Sequence, residues 1–291
     1  MTRAEHSFIL GQPRCGTVAK AERVVLNGDM TVAEGFEEIV DNCVRHFRLN
    51  HPAVVEKRAP EALHQTRVAL RRLRAATSLF RTAIADEESP WVREELRWLA
   101  GALGIAGDLD VAMRSMLTSE QRQVLLHRRE AAYDNIGDVL QSVRFRDSMM
   151  TLAAWTSGGH WRCYPIANMP LGPYVNRRID KLWRKLKAAM RPSRIGDERR
   201  HQLRILVKKL RYSLEFVRSL HLRKPKTRRR LGNALEELQE WLGLLNDAAV
   251  ARRALGDDPA IACQTATEEK RRLRGADRGL HRVREIGPYW R

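Results

Sequence analysis

One eleven-residue pattern occurs twice in this chain, and the rest of the fold has to be arranged around it. His64-Gln-Thr-Arg67-Val-Ala-Leu-Arg71-Arg72-Leu-Arg74 returns at an offset of 137 as His201-Gln-Leu-Arg204-Ile-Leu-Val-Lys208-Lys209-Leu-Arg211. A second match follows in the same order at an offset of 139: Leu103-Gly104-Ile105-Ala106-Gly107-Asp108 against Leu242-Gly243-Leu244-Leu245-Asn246-Asp247. Two matches in one order at nearly one spacing predict an internal duplication.

The pattern has helical spacing. At roughly 100° per residue, Arg67, Arg71 and Arg74 fall within about 80° of His64. Leu63, Leu70, Leu73, Thr77, Phe80 and Ile84 occupy the adjoining arc and are expected to face a core. In the second copy His201, Arg204, Lys208 and Arg211 form the stripe, with Leu203, Val207, Leu210, Leu214 and Val217 beside it. Arg72 and Lys209 flank the stripes on the other side. Cations at i,i+3 and i,i+4 repel one another. Neither 64–74 nor 201–211 contains an acid to relieve them. An external anion lying between two such helices would complete the arrangement.

Charge location agrees. Lys plus Arg number 53 and Asp plus Glu 35, a net of +18 over 291 residues. Residues 177–230 hold 21 basic and four acidic side chains, so that stretch alone carries +17. Such concentration suggests a polyanion partner rather than a dispersed solubility charge. Only 10 of the 53 cations are Lys, and the Arg fork grips phosphate oxygens in pairs. Arg177 and Lys181 lie at i and i+4 on the helix that opens the second half. Arg114 and Arg252 follow Asp108 and Asp247 by a few residues, and both are candidates to face the anion.

The remaining chain also reads as helix, so the fold class is all-α. Residues 1–23, with Gly11, Pro13 and Gly16, are expected to be a flexible leader. Thr31 and Glu34 form a capping box before Phe36, Ile39, Val40, Cys43, Val44 and Phe47. Pro60 and Ser89-Pro90 open two more helices, the second ending near Leu103. Asp108, Asp110 and Asp247 are expected to cap helices rather than catalyse, and Asp258 to cap the last one. Residues 156–172, with Gly158, Gly159, Pro165, Pro170 and Gly172, are the expected linker between a first half at 24–155 and a second at 173–291.

Several classes are excluded or disfavoured. No charge-free stretch exceeds that from Ser148 to Trp161, too short for the roughly 20 apolar residues of a membrane span. Phe8-Ile9-Leu10 is broken at once by Gly11 and Pro13, so no signal segment is expected and the chain reads as cytoplasmic. Cys15, Cys43, Cys163 and Cys263 are scattered, and no HxxxH or HExxH spacing occurs, so neither a metal nor a cofactor is expected.

These residues resemble the CHAD domain, the conserved histidine α-helical domain. Its pattern is an HxxRVxxRRLR helix followed by an HxLRxxxKKLRY helix. Here the two read His64 to Arg74 and His201 to Tyr212, and the resemblance extends over about 24–291, to the closing Pro288-Tyr289-Trp290. The family usually carries Arg before the first aspartate, where this chain has Gly107. The resemblance implies two helical bundles related by a pseudo-twofold axis, with a central basic cleft or pore that binds inorganic polyphosphate. It also implies association with polyphosphate granules in bacteria. Some members carry a triphosphatase domain marked by ExExK, and no ExExK occurs here.

The expected function is therefore polyphosphate binding, not enzymatic. The expected contacts are His64, Arg67, Arg71, Arg72, Arg74, Arg114, Arg177, Lys181, His201, Arg204, Lys208, Lys209, Arg211, Tyr212 and Arg252. One alternative is a nucleic-acid-binding helical protein, in which RNA or DNA would compete for the same cations. Another is a histidine phosphotransfer protein or phosphatase acting through His64 and His201. No sequence feature assigns an oligomeric state.

Overall fold

The computed structural model describes residues 18–114, 118–190, 197–220, 224–255 and 259–290. Among them are nine α-helices and no strand. They are α1 Val32–Lys57, α2 Pro60–Leu79, α3 Ser89–Ala112, α4 Ser119–Gln141, α5 Val143–Gly158, α6 Leu171–Ala189, α7 Asp197–Phe216, α8 Pro225–Leu255 and α9 Pro259–Ile286. Local chemistry sets many ends. Thr31 and Glu34 make the capping box of α1, Pro60 sits in the first turn of α2, and Ser142 caps α5 through the Phe145 amide. No described helix is long and apolar enough to cross a membrane.

Neighbouring helices pack in a repeating order. α1 packs on α2, α2 on α3 and α3 on α4; later α6 packs on α7, α7 on α8 and α8 on α9. The sets are joined chiefly by α2 with α7 and α3 with α8, and more lightly by α6 with α1 and α2. Buried side chains from both sides of 156–172 form one continuous core, from Phe36, Leu63 and Leu70 to Leu203, Leu210, Leu235 and Trp290. Along α2 and α7 the residues expected to face a core are buried, with Leu63, Leu70, Val207 and Leu210 at 2% exposure or less.

The entries to α1 and α6 are tied together. The Val32 amide donates to the Met169 carbonyl and the Leu171 amide to the Met30 carbonyl, each at 2.9 Å. The two bonds are reciprocal, because Met30 and Val32 stand 139 residues before Met169 and Leu171. A Cβ on Gly35 would stand 2.5 Å from Leu171 Cδ2, so glycine permits this close approach.

Three expectations change. Residues 18–23 of the expected leader are anchored: Asn50 bonds both the amide and carbonyl of Ala19, at 3.0 and 2.9 Å, and His46 Nε2 donates to the same carbonyl. Residues 1–17 lie outside the described residues. The expected linker contains two 3-10 turns, His160–Cys163 and Pro165–Asn168, and buries Trp161 against Phe36. Asp86 holds this region by accepting from Trp155 Nε1, the Trp161 amide and the Ser89 amide. Finally, α3 and α8 run through the Gly-Asp stretches without a break. Asp108, Asp110 and Asp247 therefore lie inside helices and cap nothing. Asp110 is nearly buried and accepts from Arg129 Nε and Tyr133 Oη, each at 2.7 Å. Asp258 lies outside the described residues.

Candidate anion site

The site begins where α2 meets α7. Arg67 crosses from α2 to α3 and donates to Asp108 Oδ1 at 2.9 Å, with its side chain 22% exposed. Gly107 makes the crossing possible: a Cβ there would lie 1.5 Å from Arg67 Nη1. The space beside position 107 is thus filled by Arg67.

Arg71 lies one turn further along α2. Opposite, α7 contributes Arg204 and Lys208. These four side chains and the two aspartates act on one another electrostatically. Burial pulls the Arg204 pKa down, Asp247 and Asp108 oppose that pull, and Arg71 and Arg67 add to it. Burial, then Arg204 and Arg71, lower the Lys208 ammonium to about 7, against opposition from Asp247. Arg71 Nε and Arg204 Nε are buried and find no hydrogen-bond acceptor among the described residues. A buried donor left unmatched is costly, about 1–3 kcal/mol for an uncharged group and more for a charged one. Arg67 and Arg204 stand at matching positions of the two sequence patterns, as do Arg71 and Lys208.

His64 belongs to this group. Burial and then Arg71 lower its pKa; Arg67 and Arg114 add to the effect and Glu61 opposes it. His64 nevertheless keeps exposed surface, so it is crowded by protein on one side and open to solvent on the other. His201 is exposed at the start of α7.

A second set of cations lies where α2, α6 and α7 come together. Burial lowers the Lys209 pKa, and Arg74, Lys185 and Arg81 then lower it further. α6 is fixed over the end of α2 by Arg178, which donates to the carbonyls of Leu79 and Ser78 at 2.9 and 3.3 Å. Lys185 follows Arg178 by seven residues, two turns along the same face. Arg74 keeps exposed surface, while burial and then Arg97 lower its pKa.

Other expected contacts are placed differently. Arg72 is fully buried: its Nε lies 3.2 Å from Glu215 Oε1, its Nη2 donates to the Glu22 carbonyl, and it covers the Phe216 ring at 5.5 Å. The Glu215 contact is at ion-pair distance without hydrogen-bond alignment. Arg72 is thus enclosed by its own chain. Arg211 donates from Nε to Gln239 Oε1 at 2.8 Å, approaches Glu215 at 3.8 Å and lies over Tyr212. Tyr212 is buried and offers no stacking face at the site. Arg177 and Lys181 are exposed on α6; Lys185, one turn beyond Lys181, is the α6 cation that acts on Lys209. Arg114 is exposed near His64. The Arg252 side chain lies outside the described residues.

Sequence reasoning missed Arg81, Lys185 and Glu215. Arg81 follows Arg74 by seven residues, and its signal was the continuing stripe. Glu215 was visible only by aligning it, at the offset of 137, with Ser78.

The CHAD domain pattern matches residues 38–256. The Mycobacterium tuberculosis proteins Rv2226 and MT2285, from strains H37Rv and CDC 1551, are each 26% identical over 264 residues. The match covers 84% of this chain and 49% of theirs, so the chain spans about half the length of these curated relatives. The crystal structure of the CHAD domain from the plant Ricinus communis superposes with a TM-score of 0.74 at 29% identity, covering 94% of this chain and 93% of that one. PptA from Streptomyces chartreusis shares the fold at a TM-score of 0.55 and 17% identity, covering 88% and 99%.

Proposed function

The chain belongs to the CHAD domain family, and from that premise we propose that it is a module that binds inorganic polyphosphate between α2 and α7. The family is associated with polyphosphate binding. The observation that carries the proposal for this chain is the meeting of Arg67, Arg71, Arg204 and Lys208, with two buried guanidinium nitrogens that lack an acceptor among the described residues. A chain of phosphates supplies closely spaced acceptor oxygens and relieves the repulsion among these cations. Displacement of counterions from the polyanion adds to affinity, as it does for nucleic acids. The same reading includes a duplicated unit with a basic cleft on its pseudo-twofold axis. It is supported by the repeated helix pairing and by the reciprocal bonds that Met30 and Val32 make with their counterparts at an offset of 139, Met169 and Leu171. Binding of this kind would bring the protein to polyphosphate granules.

Nucleic acid is the weaker reading, because Tyr212 is the one aromatic residue within the two patterns and it is buried under Arg211. A titration with long-chain polyphosphate at several salt concentrations, with RNA as competitor, tests the choice. Affinity is expected to fall linearly on a log–log salt plot, and polyphosphate is expected to displace RNA. Displacement only in the opposite direction would sink the proposal.

Lys208 adds a pH dependence. Arg204 on its own helix, Arg67 and Arg71 on α2 and Asp247 on α8 surround it. Below about pH 7 the ammonium is already charged in the free protein, so no proton uptake accompanies binding. Above pH 7 a bound anion must draw a proton onto the amine. Affinity is then expected to fall as pH rises, by up to about tenfold per unit. Lys208→Arg, charged throughout, should flatten the profile between pH 7 and 9; an unchanged slope would remove Lys208 from the site.

A further inference from the structure

The two basic stripes are not equivalent beyond the inner group. On α2 the face continues Arg67, Arg71, Arg74, Ser78, Arg81. Bonds from the Ala83 and Ile84 amides to the Phe80 carbonyl carry the turn past Arg81. On α7 the matching positions are Arg204, Lys208, Arg211, Glu215, Arg218. Glu215 stands where the first half has Ser78, and the consequence is visible in the contacts. Glu215 lies against Arg72 and Arg211, and Gln239 takes the Arg211 Nε. That end is satisfied within the protein. Around the end of α2, Arg74, Arg81, Lys185 and Lys209 gather, and no carboxylate among the described residues forms an ion pair with any of them.

We infer that the anion path is one-ended: a polyphosphate chain held at Arg67, Arg71, Arg204 and Lys208 continues over Arg74, Arg81, Lys185 and Lys209 toward the end of α2, and not over Arg211 toward the end of α7. This rests on the polyphosphate reading and specifies its direction and footprint. From Arg67 to Arg81 the stripe runs fourteen residues, about 21 Å at 1.5 Å per residue. Tripolyphosphate is far shorter than that and can occupy the inner group alone. A long chain can engage both groups, so the outer cations are a device for chain-length selection.

The test places a carboxylate on the open end. Ser78→Glu puts an acid at i+4 from Arg74 and i−3 from Arg81, where it pairs with both. Ser78→Gln controls for size, and Arg81→Gln with Lys185→Gln removes two exposed cations without touching the core. Each folded variant is titrated with long-chain polyphosphate and with tripolyphosphate. Ser78→Glu and the double variant are expected to weaken long-chain binding about tenfold and flatten its salt slope. Ser78→Gln should match the wild type, and tripolyphosphate affinity should stay within about twofold throughout. If long-chain affinity is unchanged in all variants, or tripolyphosphate binding falls in parallel, the one-ended path is overturned while polyphosphate binding stands. If the wild type binds neither anion, both readings fall together.

Discussion

Replacing Arg67 and Arg204 together by Gln is expected to weaken polyphosphate binding by about a hundredfold or more while leaving the fold as stable as before. Each arginine offers charge-assisted hydrogen bonds worth about 1.5–3 kcal/mol, and a tenfold change in affinity corresponds to about 1.4 kcal/mol. The salt slope should also flatten by about 1.4, taking about 0.7 per phosphate neutralised on a single strand. Stability should hold because neither side chain anchors the core. Arg67 pairs with Asp108, which is 52% exposed and can be solvated when released. Burial disfavours the Arg204 charge, and the pull of Asp247 and Asp108 is set against the push of Arg71 and Arg67, so its removal costs little. Titrations at three or more salt concentrations, with a melting curve on the same samples, separate the two effects. Unchanged affinity and slope in a folded double variant would remove the α2–α7 site.

Arg72 is expected to behave in the opposite way. Its side chain is 1% exposed, beside Glu215 and the Phe216 ring, and held by the Glu22 carbonyl. Arg72→Ala leaves a cavity and takes from Glu215 the nearer of its two arginine partners. Breaking a buried pair by removing one partner costs about 3–5 kcal/mol. Glu215 is 34% exposed and regains some hydration, so the lower end, about 3 kcal/mol, is the expected loss. Denaturant unfolding should show a lower midpoint at unchanged slope. A variant that unfolds like the wild type yet loses polyphosphate would return Arg72 to the list of phosphate contacts. Two arginines five residues apart on one helix thus divide between binding and folding.

That division marks the limit of what periodicity can say. The apolar arcs of α2 and α7, the Thr31 capping box and the Pro60 start were legible because each depends on residues within a turn or two. The paired stripes were legible because the chain states them twice. Arg72 was not, because a helical wheel gives an angle and not the neighbour waiting at that angle. The Gly-Asp stretches misled for a related reason. Glycine before a potential capping residue reads locally as a boundary. In α3, Gly107 instead clears space for Arg67, a demand that comes from another helix. Asp108 and Asp247 likewise belong to the site through tertiary contacts, with Arg67 directly and with Arg204 through its field. Lys185 reaches the outer cations only because Arg178 fixes α6 over the end of α2.

The reciprocal bonds between Val32 and Met169 and between Leu171 and Met30 have a consequence for assembly. Matching donors and acceptors exchanged across an axis are the signature of an isologous dimer, in which each subunit offers the same patch. Here both patches belong to one polypeptide. Their association is intramolecular, governed by an effective concentration that dilution does not change. α2 with Arg67 and Arg71 and α7 with Arg204 and Lys208 therefore stay in register at any protein concentration.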